Sequence, residues 1–315
     1  MSSGSVARGL GLSMCCLVLL GTMPVVSNLR PQSFDALSFA LALSVWQVFF
    51  ALPGFAFELR GGKGAFGIRM RPGVRARMIA VALLTGTIFG LSTWLYVLGV
   101  GKAGATNAAV AIQAYPLFAI LWENLFLKRR KTAAELGLTL CLLVALYFLG
   151  TGGTWRLSGL SPWFLAALSV PFLWSIAHVV IKEELGRTPI TPAQVTFFRV
   201  AVSTVFLAIV LWASGPSEGP GMAEVLAAPV SVLMGLIYFL ELILWFHAVR
   251  HIDVSLASSI TTPWPALTMV LAFFLLGDAI EPHQVGALAV VVACIYGLML
   301  ASLGKAKRVG TTKTG

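Results

Sequence analysis

Apolar positions in this chain come in long blocks, not in alternation. Ten stretches of mostly apolar residues lie at roughly 9–27, 36–57, 78–100, 104–127, 133–151, 160–181, 192–213, 226–249, 254–277 and 283–303. A bilayer core is crossed by about 20 residues of helix. Each block therefore predicts one transmembrane helix, and they are numbered here as spans 1 to 10. Three breaks are sharp: the Gly- and Arg-rich stretch Arg60 to Arg77, the run Lys128-Arg129-Arg130-Lys131, and the Gly/Pro/Ser turn from Ser214 to Gly221. The junctions near Gly101–Ala103 and Arg250–Asp253 are shorter.

Composition agrees with the pattern. Charged residues make up 11% of the 315 and hydrophobic residues 58%, with a mean hydropathy of +0.90. Soluble chains carry about 25% charged residues. The net charge of +10 would suit nucleic acid only if it formed a folded basic surface, and its distribution does not. With the N-terminus inside, eighteen of the 22 lysines and arginines fall on the cytoplasmic side. They are Arg8; Arg60, Lys63, Arg69, Arg71, Arg75 and Arg77; Lys128 to Lys131; Lys182 and Arg187; Arg250; and Lys305, Lys307, Arg308 and Lys313. Arg30, Lys102 and Arg156 fall outside, and Arg199 lies within span 7. This positive-inside bias predicts ten spans with both termini cytoplasmic. The basic 60–77 loop suits an anionic lipid leaflet. Arg8 precedes the apolar run Leu10 to Val26, with no A-x-A site after it, so span 1 reads as a retained helix, not a cleaved leader.

The chain also repeats. Shifted by 149 residues, Gly86 meets Gly235, Val100 meets Val249, Ala108 meets Ala257, Pro116 meets Pro265, Gly137 meets Gly286 and Tyr147 meets Tyr296. The expected fold class is all-α integral membrane, with ten helices as two five-helix repeats, 1–153 and 154–304, and a basic tail at 305–315. Five is odd, so the second repeat enters the membrane inverted. Inverted repeats are a transporter signature, because exchanging the conformations of the halves gives alternating access.

Leu275-Leu276-Gly277-Asp278 followed by Glu281 to Gly286 resembles the end of the EamA-type repeat of the drug/metabolite transporter superfamily. Phe198-Arg199 resembles its F-R element. Asp278 stands where that repeat usually has Glu, the first-half equivalent is Arg129, and no first-half arginine matches Arg199. The resemblance implies a ten-helix exporter-like carrier in a bacterial cytoplasmic membrane. Its central cavity would be lined mainly by spans 1, 3, 4, 6, 8 and 9.

Several residue sets could carry that function. Pro24, Pro116, Pro171 and the pair Pro263/Pro265 fall inside spans 1, 4, 6 and 9, which are repeat-related. Each removes a helix hydrogen bond and predicts a kink or hinge beside a cavity, although proline is also ordinary in membrane helices. Phe89, Ser92 and Tyr96 form one stripe on span 3, and their register equivalents Tyr238, Glu241 and Trp245 form one on span 8. Tyr115 and Trp264 are equivalent, and Trp174 lies one turn from His178. These aromatics could bind a substrate or face lipid and pack. Glu241 could couple protons, bind an amine, or sit protonated in packing. His247 and His178 have the same functional and packing readings. Glu123 is expected to pair with the Lys128 cluster. Arg199 is expected to snorkel to the cytoplasmic face, with Asp253 or Glu184 as partner. Gln113, Asn107 and Gln47 could donate to a substrate or bridge helices.

No cofactor or metal is expected. Cys15, Cys16, Cys141 and Cys294 show no metal spacing and read as small packing residues. Neither HExxH, GxSxG nor a paired-Asp motif occurs, which argues against an intramembrane enzyme. The leading expectation is a secondary carrier of small amphipathic metabolites such as amino acids, working as monomer or dimer. A lipid or lipid-linked-sugar flippase, or a drug or nucleotide-sugar carrier, fits the same fold.

Overall fold

A computed structural model describes residues 3–67, 71–115, 117–118, 121–122, 132–215, 219–248, 251, 257 and 260–311. Among them are eleven α-helices: α1 (Ser3–Asn28), α2 (Ala36–Arg60), α3 (Pro72–Ala103), α4 (Ala105–Ile112), α5 (Ala133–Gly150), α6 (Pro162–Arg187), α7 (Pro192–Ala213), α8 (Met222–Ala227), α9 (Pro229–Ala248), α10 (Trp264–Leu276) and α11 (Pro282–Thr311). They follow the predicted spans in order, with α8 and α9 sharing span 8. Spans 4 and 9 are described only in part.

Local chemistry starts these helices. α3, α6, α7, α9 and α11 each begin at a proline, whose missing N–H falls where no helical bond is needed. The Asp35 carboxylate caps α2 by accepting from the Leu37 and Ser38 amides at 2.8 and 3.0 Å. Thr191 and Gln194 form a capping box at the head of α7, joining two orphan amides to side chains.

Among the described residues four helices are long and apolar enough to cross a bilayer: Ala7–Asn28, Ala36–Arg60, Pro72–Ala103 and Ala193–Ala213. Five shorter apolar helices accompany them. The outer surface is apolar too, with Trp212 85%, Phe274 74% and Leu300 70% exposed. Patches on that scale, against a thinly charged chain, suit lipid and not water. The protein is therefore a multi-pass membrane protein. Cys15 and Cys141 also lie on the exposed side, whereas Cys16 and Cys294 are buried, so only the latter two pack as expected.

Packing repeats the internal symmetry. α3 lies along α6 and α7, while α9 lies along α1 and α2. Spans 3, 6 and 7 thus meet as spans 8, 1 and 2 do. The equivalence reaches single atoms at Gly86 and Gly235. A Cβ on Gly86 would lie 2.5 Å from the Val202 Cβ and 3.1 Å from the Arg199 carbonyl. On Gly235 it would lie 2.4 Å from the Trp46 Cβ and 2.9 Å from the Leu43 carbonyl. Only glycine lets the backbones approach this closely. The partner residues are 156 apart (199 against 43, 202 against 46), seven more than the 149 of the glycines. The extra residues fall in the basic loop between spans 2 and 3.

Two helices are interrupted where kinks were expected. Gln113 and Ala114 form a turn after α4, and Thr262 and Pro263 form a turn before α10. Pro263 is the N-cap of α10 and Pro265 lies in its first turn, so this pair starts a helix instead of bending one. Two prolines flanking Trp264 remove two amide donors and disfavour helix in the residue before each. Pro24 and Pro171 do lie inside α1 and α6. Pro116 lies outside the described residues, as do Glu123 and the Lys128–Lys131 run.

Candidate functional site

The stripe read on span 3 faces inward. Phe89, Ser92 and Tyr96 on α3 are all buried, as is Tyr238 on α9. Trp174 of α6 donates from Nε1 to the Ser92 Oγ at 2.9 Å, and that hydroxyl donates to the Phe89 carbonyl at 3.0 Å. The one hydroxyl proton of Ser92 is thus committed to its own helix, and its oxygen fixes the Trp174 indole. Tyr96 stacks on Trp174 with centroids 6.5 Å apart. It meets Tyr238 edge-on at 5.7 Å and 87°. Such ring pairs contribute about 0.5–1.5 kcal/mol each beyond burial, so this wall is held rigid.

A second set of rings adjoins the first through Phe89. His178 of α6 lies 5.4 Å from Phe89 and 5.6 Å from Tyr115. The Arg199 guanidinium of α7 sits over the Phe89 ring with Cζ 3.8 Å from its centroid. The sequence reading sends Arg199 to the cytoplasmic face; the structure turns it inward. Asp253 and the Glu184 side chain, its expected partners, lie outside what the structure describes. An aromatic face offers a desolvated cation a partner, which the helix periodicity of α7 alone does not reveal.

Glu241 completes the set. It lies one turn beyond Tyr238 on α9, within electrostatic reach of Arg199 and Tyr238. Among the described residues no contact ion pair joins Glu241 to Arg199. Both keep part of their surface accessible although protein surrounds them, as do Trp174, His178 and Tyr115. The Tyr96 and Tyr238 hydroxyls are buried without a hydrogen-bond partner. Cys16 of α1 closes the near side, with its Sγ donating to the Glu241 carbonyl at 3.7 Å.

A shallow cleft lies on the same helices α3, α6 and α7. Its lining includes Thr85, Ile181 and Val195, each about one helical turn from Phe89, His178 and Arg199 respectively. It is small, partly open to the surroundings, and mostly apolar in its lining.

Other candidates fall elsewhere. Gln113 donates from Nε2 to the Thr262 carbonyl at 2.9 Å, and so bridges α4 to the approach of α10. Asn107 donates to the Ala103 carbonyl at 3.0 Å and accepts from Gln284 at 3.1 Å. Gln47 is buried, with its Nε2 unpartnered. Trp264 is buried at the start of α10, and Trp245 is partly buried one turn beyond Glu241. His247 is exposed in the last turn of α9. Sequence reasoning missed the inward turn of Arg199 and the contact of Cys16 with the Glu241 backbone. The available signal for the first was that Arg199 is the one basic residue inside a span and has no counterpart in the other repeat.

The comparisons with known proteins agree with this architecture. A model of the EamA-like transporter family matches residues 7–151 and again 161–300. The chain is similar to a probable terminal-alkyne amino-acid exporter of Streptantibioticus cattleyicolor. They are 27% identical over 252 residues, which cover 79% of this chain and 81% of that one. It is also similar to the pseudopaline exporter CntI of Pseudomonas aeruginosa, 26% identical over 128 residues, or 41% of this chain and 43% of the relative. A crystal structure 21% identical to this chain superposes with a TM-score of 0.58 over 98% of this chain and 99% of the other, a likeness of fold. The two matches cover most of both repeats: the chain belongs to the EamA-like transporter family.

Proposed function

We propose that this protein is a ten-span secondary carrier that exports small amphipathic metabolites by alternating access. Amino acids are the best-fitting class. In this reading residues 1–153 and 154–304 are two inverted five-helix repeats, and residues 305–315 form a basic cytoplasmic tail. The membrane is the bacterial cytoplasmic membrane, with both termini inside. The twin glycine contacts support the repeats, and the lysine and arginine distribution supports the orientation. The two exporters among the relatives agree with the direction.

One observation carries the substrate reading. Inside an apolar-surfaced bundle, both repeats contribute to one set of aromatic and polar groups, with Glu241 and Arg199 at its edge. A mostly apolar site with a few placed polar groups is what a small amphipathic ligand needs. Two unpartnered tyrosine hydroxyls leave hydrogen bonds for such a ligand to make. Substrate contacts are therefore assigned to Phe89, Tyr96, Tyr115, Trp174, His178, Tyr238 and Glu241, with Arg199 added to them.

Uptake of a labelled amino-acid panel into proteoliposomes tests this. Saturable flux of at least one member is expected, and substitution of Glu241 by Gln should alter it while the protein still elutes as a folded species. No saturable flux for any member would overturn the amino-acid assignment. Scrambling of a labelled lipid without solute flux would point to a flippase instead.

A further inference from the structure

Two trios of helices make up the centre of the bundle. α3 packs with α6 and α7, and α9 packs with α1 and α2. Most ring contacts of the site stay inside the first trio: Trp174 with Tyr96, and His178 and Arg199 with Phe89. Tyr96 and Tyr238 are different. They meet edge-on at 5.7 Å across the two trios, from helices α3 and α9 whose backbones do not pack along one another. A second contact crosses the trios nearer the same end. Arg30, which follows α1, sits against Gly101 of α3, where an added Cβ would lie 2.4 Å from its Nη2. Its Nη1 donates to the Ser27 carbonyl at 3.0 Å, which ties it to α1. Both crossings lie toward the end that the charge distribution puts outside.

The repeat supplies a counterpart. Ser92 and Glu241 are equivalent positions. Tyr96 lies four residues past Ser92, and Tyr238 three before Glu241; Trp245 lies four past Glu241, and Phe89 three before Ser92. Phe89 and Trp245 are therefore the twin of the tyrosine pair, displaced equally toward the cytoplasmic end. That twin contact is not made. The Phe89 ring is taken by Arg199 and His178, and Trp245 has no ring contact among the described residues.

We infer that Tyr96 and Tyr238 are the outer gate of the transport path, shut in this structure, and that Phe89 and Trp245 are the inner gate, which closes as the outer one opens. The assignment rests on the carrier reading. When inverted repeats exchange conformations, a contact on one side of the membrane is replaced by its twin on the other. The hydroxyls of both tyrosines have no hydrogen-bond partner, so ring contact alone joins the outer pair. Such contact shifts an equilibrium by only about two- to tenfold, which is weak enough to break in every cycle. Trp174, held by Ser92, moves with Tyr96 as part of one trio.

Amide exchange read by mass spectrometry, on the full-length protein in lipid nanodiscs, tests the gates without a ligand. Tyr96→Ala removes the outer contact. Residues 229–237, at the outer end of α9, should then exchange about two- to tenfold faster, with no gain at residues 79–88 on the inner side. Gly101→Ala, at an exposed helix position, displaces Arg30 and should act the same way, so the test survives a misfolded Tyr96→Ala. Trp245→Ala should do the opposite at residues 229–237 and slow them by a similar factor, because it weakens the state in which the outer end is open. Faster exchange at both ends in the first two variants would mean local loosening and overturn the outer gate. Unchanged or faster exchange at 229–237 in Trp245→Ala would overturn the inner one. Either result leaves the carrier reading standing. A wild-type protein that moves no solute in proteoliposomes would overturn the carrier reading itself.

Discussion

Gln113 and Thr262 occupy the same position in the two repeats, 149 residues apart, and the Nε2 of the first donates to the carbonyl of the second at 2.9 Å. Both lie in the turns that interrupt spans 4 and 9. The two interruptions therefore meet, and a side chain of one joins the backbone of the other. Removing that link by Gln113→Leu should cost about 1–3 kcal/mol. A lower melting temperature in detergent would register it. A variant that melts like the wild type would mean that packing alone holds the two breaks together.

The twin glycines make a paired prediction. Gly86→Ala and Gly235→Ala each drive a methyl group to within 2.5 Å of a neighbouring side chain. Overpacking of this kind costs about 1–3 kcal/mol. Both should lower the melting temperature by similar amounts. Gly54→Ala is the control, since nothing lies within 4 Å of its added Cβ and alanine is the better helix former. Unchanged melting in either twin would show that its helix pair can separate without loss.

Gln194 ties the head of α7 to the loop after α2. Its amide donates to the Lys63 carbonyl at 2.8 Å and accepts from the Ala65 amide at 3.0 Å, while Thr191 donates to the Glu58 carboxylate. Gln194 is fully buried. Gln194→Ala should cost about 1–3 kcal/mol and speed amide exchange across residues 61–67. Exchange unchanged there would mean the loop is held by other contacts.

Asp278 follows α10 in the loop toward α11, where burial raises its carboxyl above the ordinary aspartate value. The sign follows from linkage. A carboxyl whose folded value is raised disfavours folding once ionised. The penalty is absent below the unfolded value, about pH 4, and grows to its full size above the folded one. Asp278→Asn should therefore raise the melting temperature slightly at pH 7 and leave it unchanged at the acid end of that window. Asp278 is only partly buried, so the gain stays within several tenths of a kcal/mol. A loss of stability at pH 7 would contradict this reading.

Much of this was legible in the residues. The blocks of apolar positions match the described helices in order, except that α8 and α9 share one block, and the stripe Phe89, Ser92, Tyr96 was read as one face without saying whether that face meets lipid or the interior. Periodicity assigns a face but not the neighbour it meets, so the Trp174–Ser92 bond could not be read from it. Arg199 was misdirected for a related reason. Snorkelling is the general behaviour of a cation near a membrane face, and the ring that holds this one belongs to a distant span. The register of 149 also hid the partners of the glycines. Seven extra residues between spans 2 and 3 shift the second span to 156, which a gap-free comparison passes over. Pro263 and Pro265 announced a disturbance, but whether a helix bends or restarts depends on the turn that precedes it.

The twin contacts of Gly86 and Gly235 give this molecule an internal reference. A substitution that acts through helix packing should have nearly the same consequence at its twin, because the surroundings are duplicated. One that acts through ligand chemistry should not, because Ser92 and Glu241 share a position and nothing else. Parallel measurement on paired sites can therefore sort architecture from chemistry without a second protein for comparison.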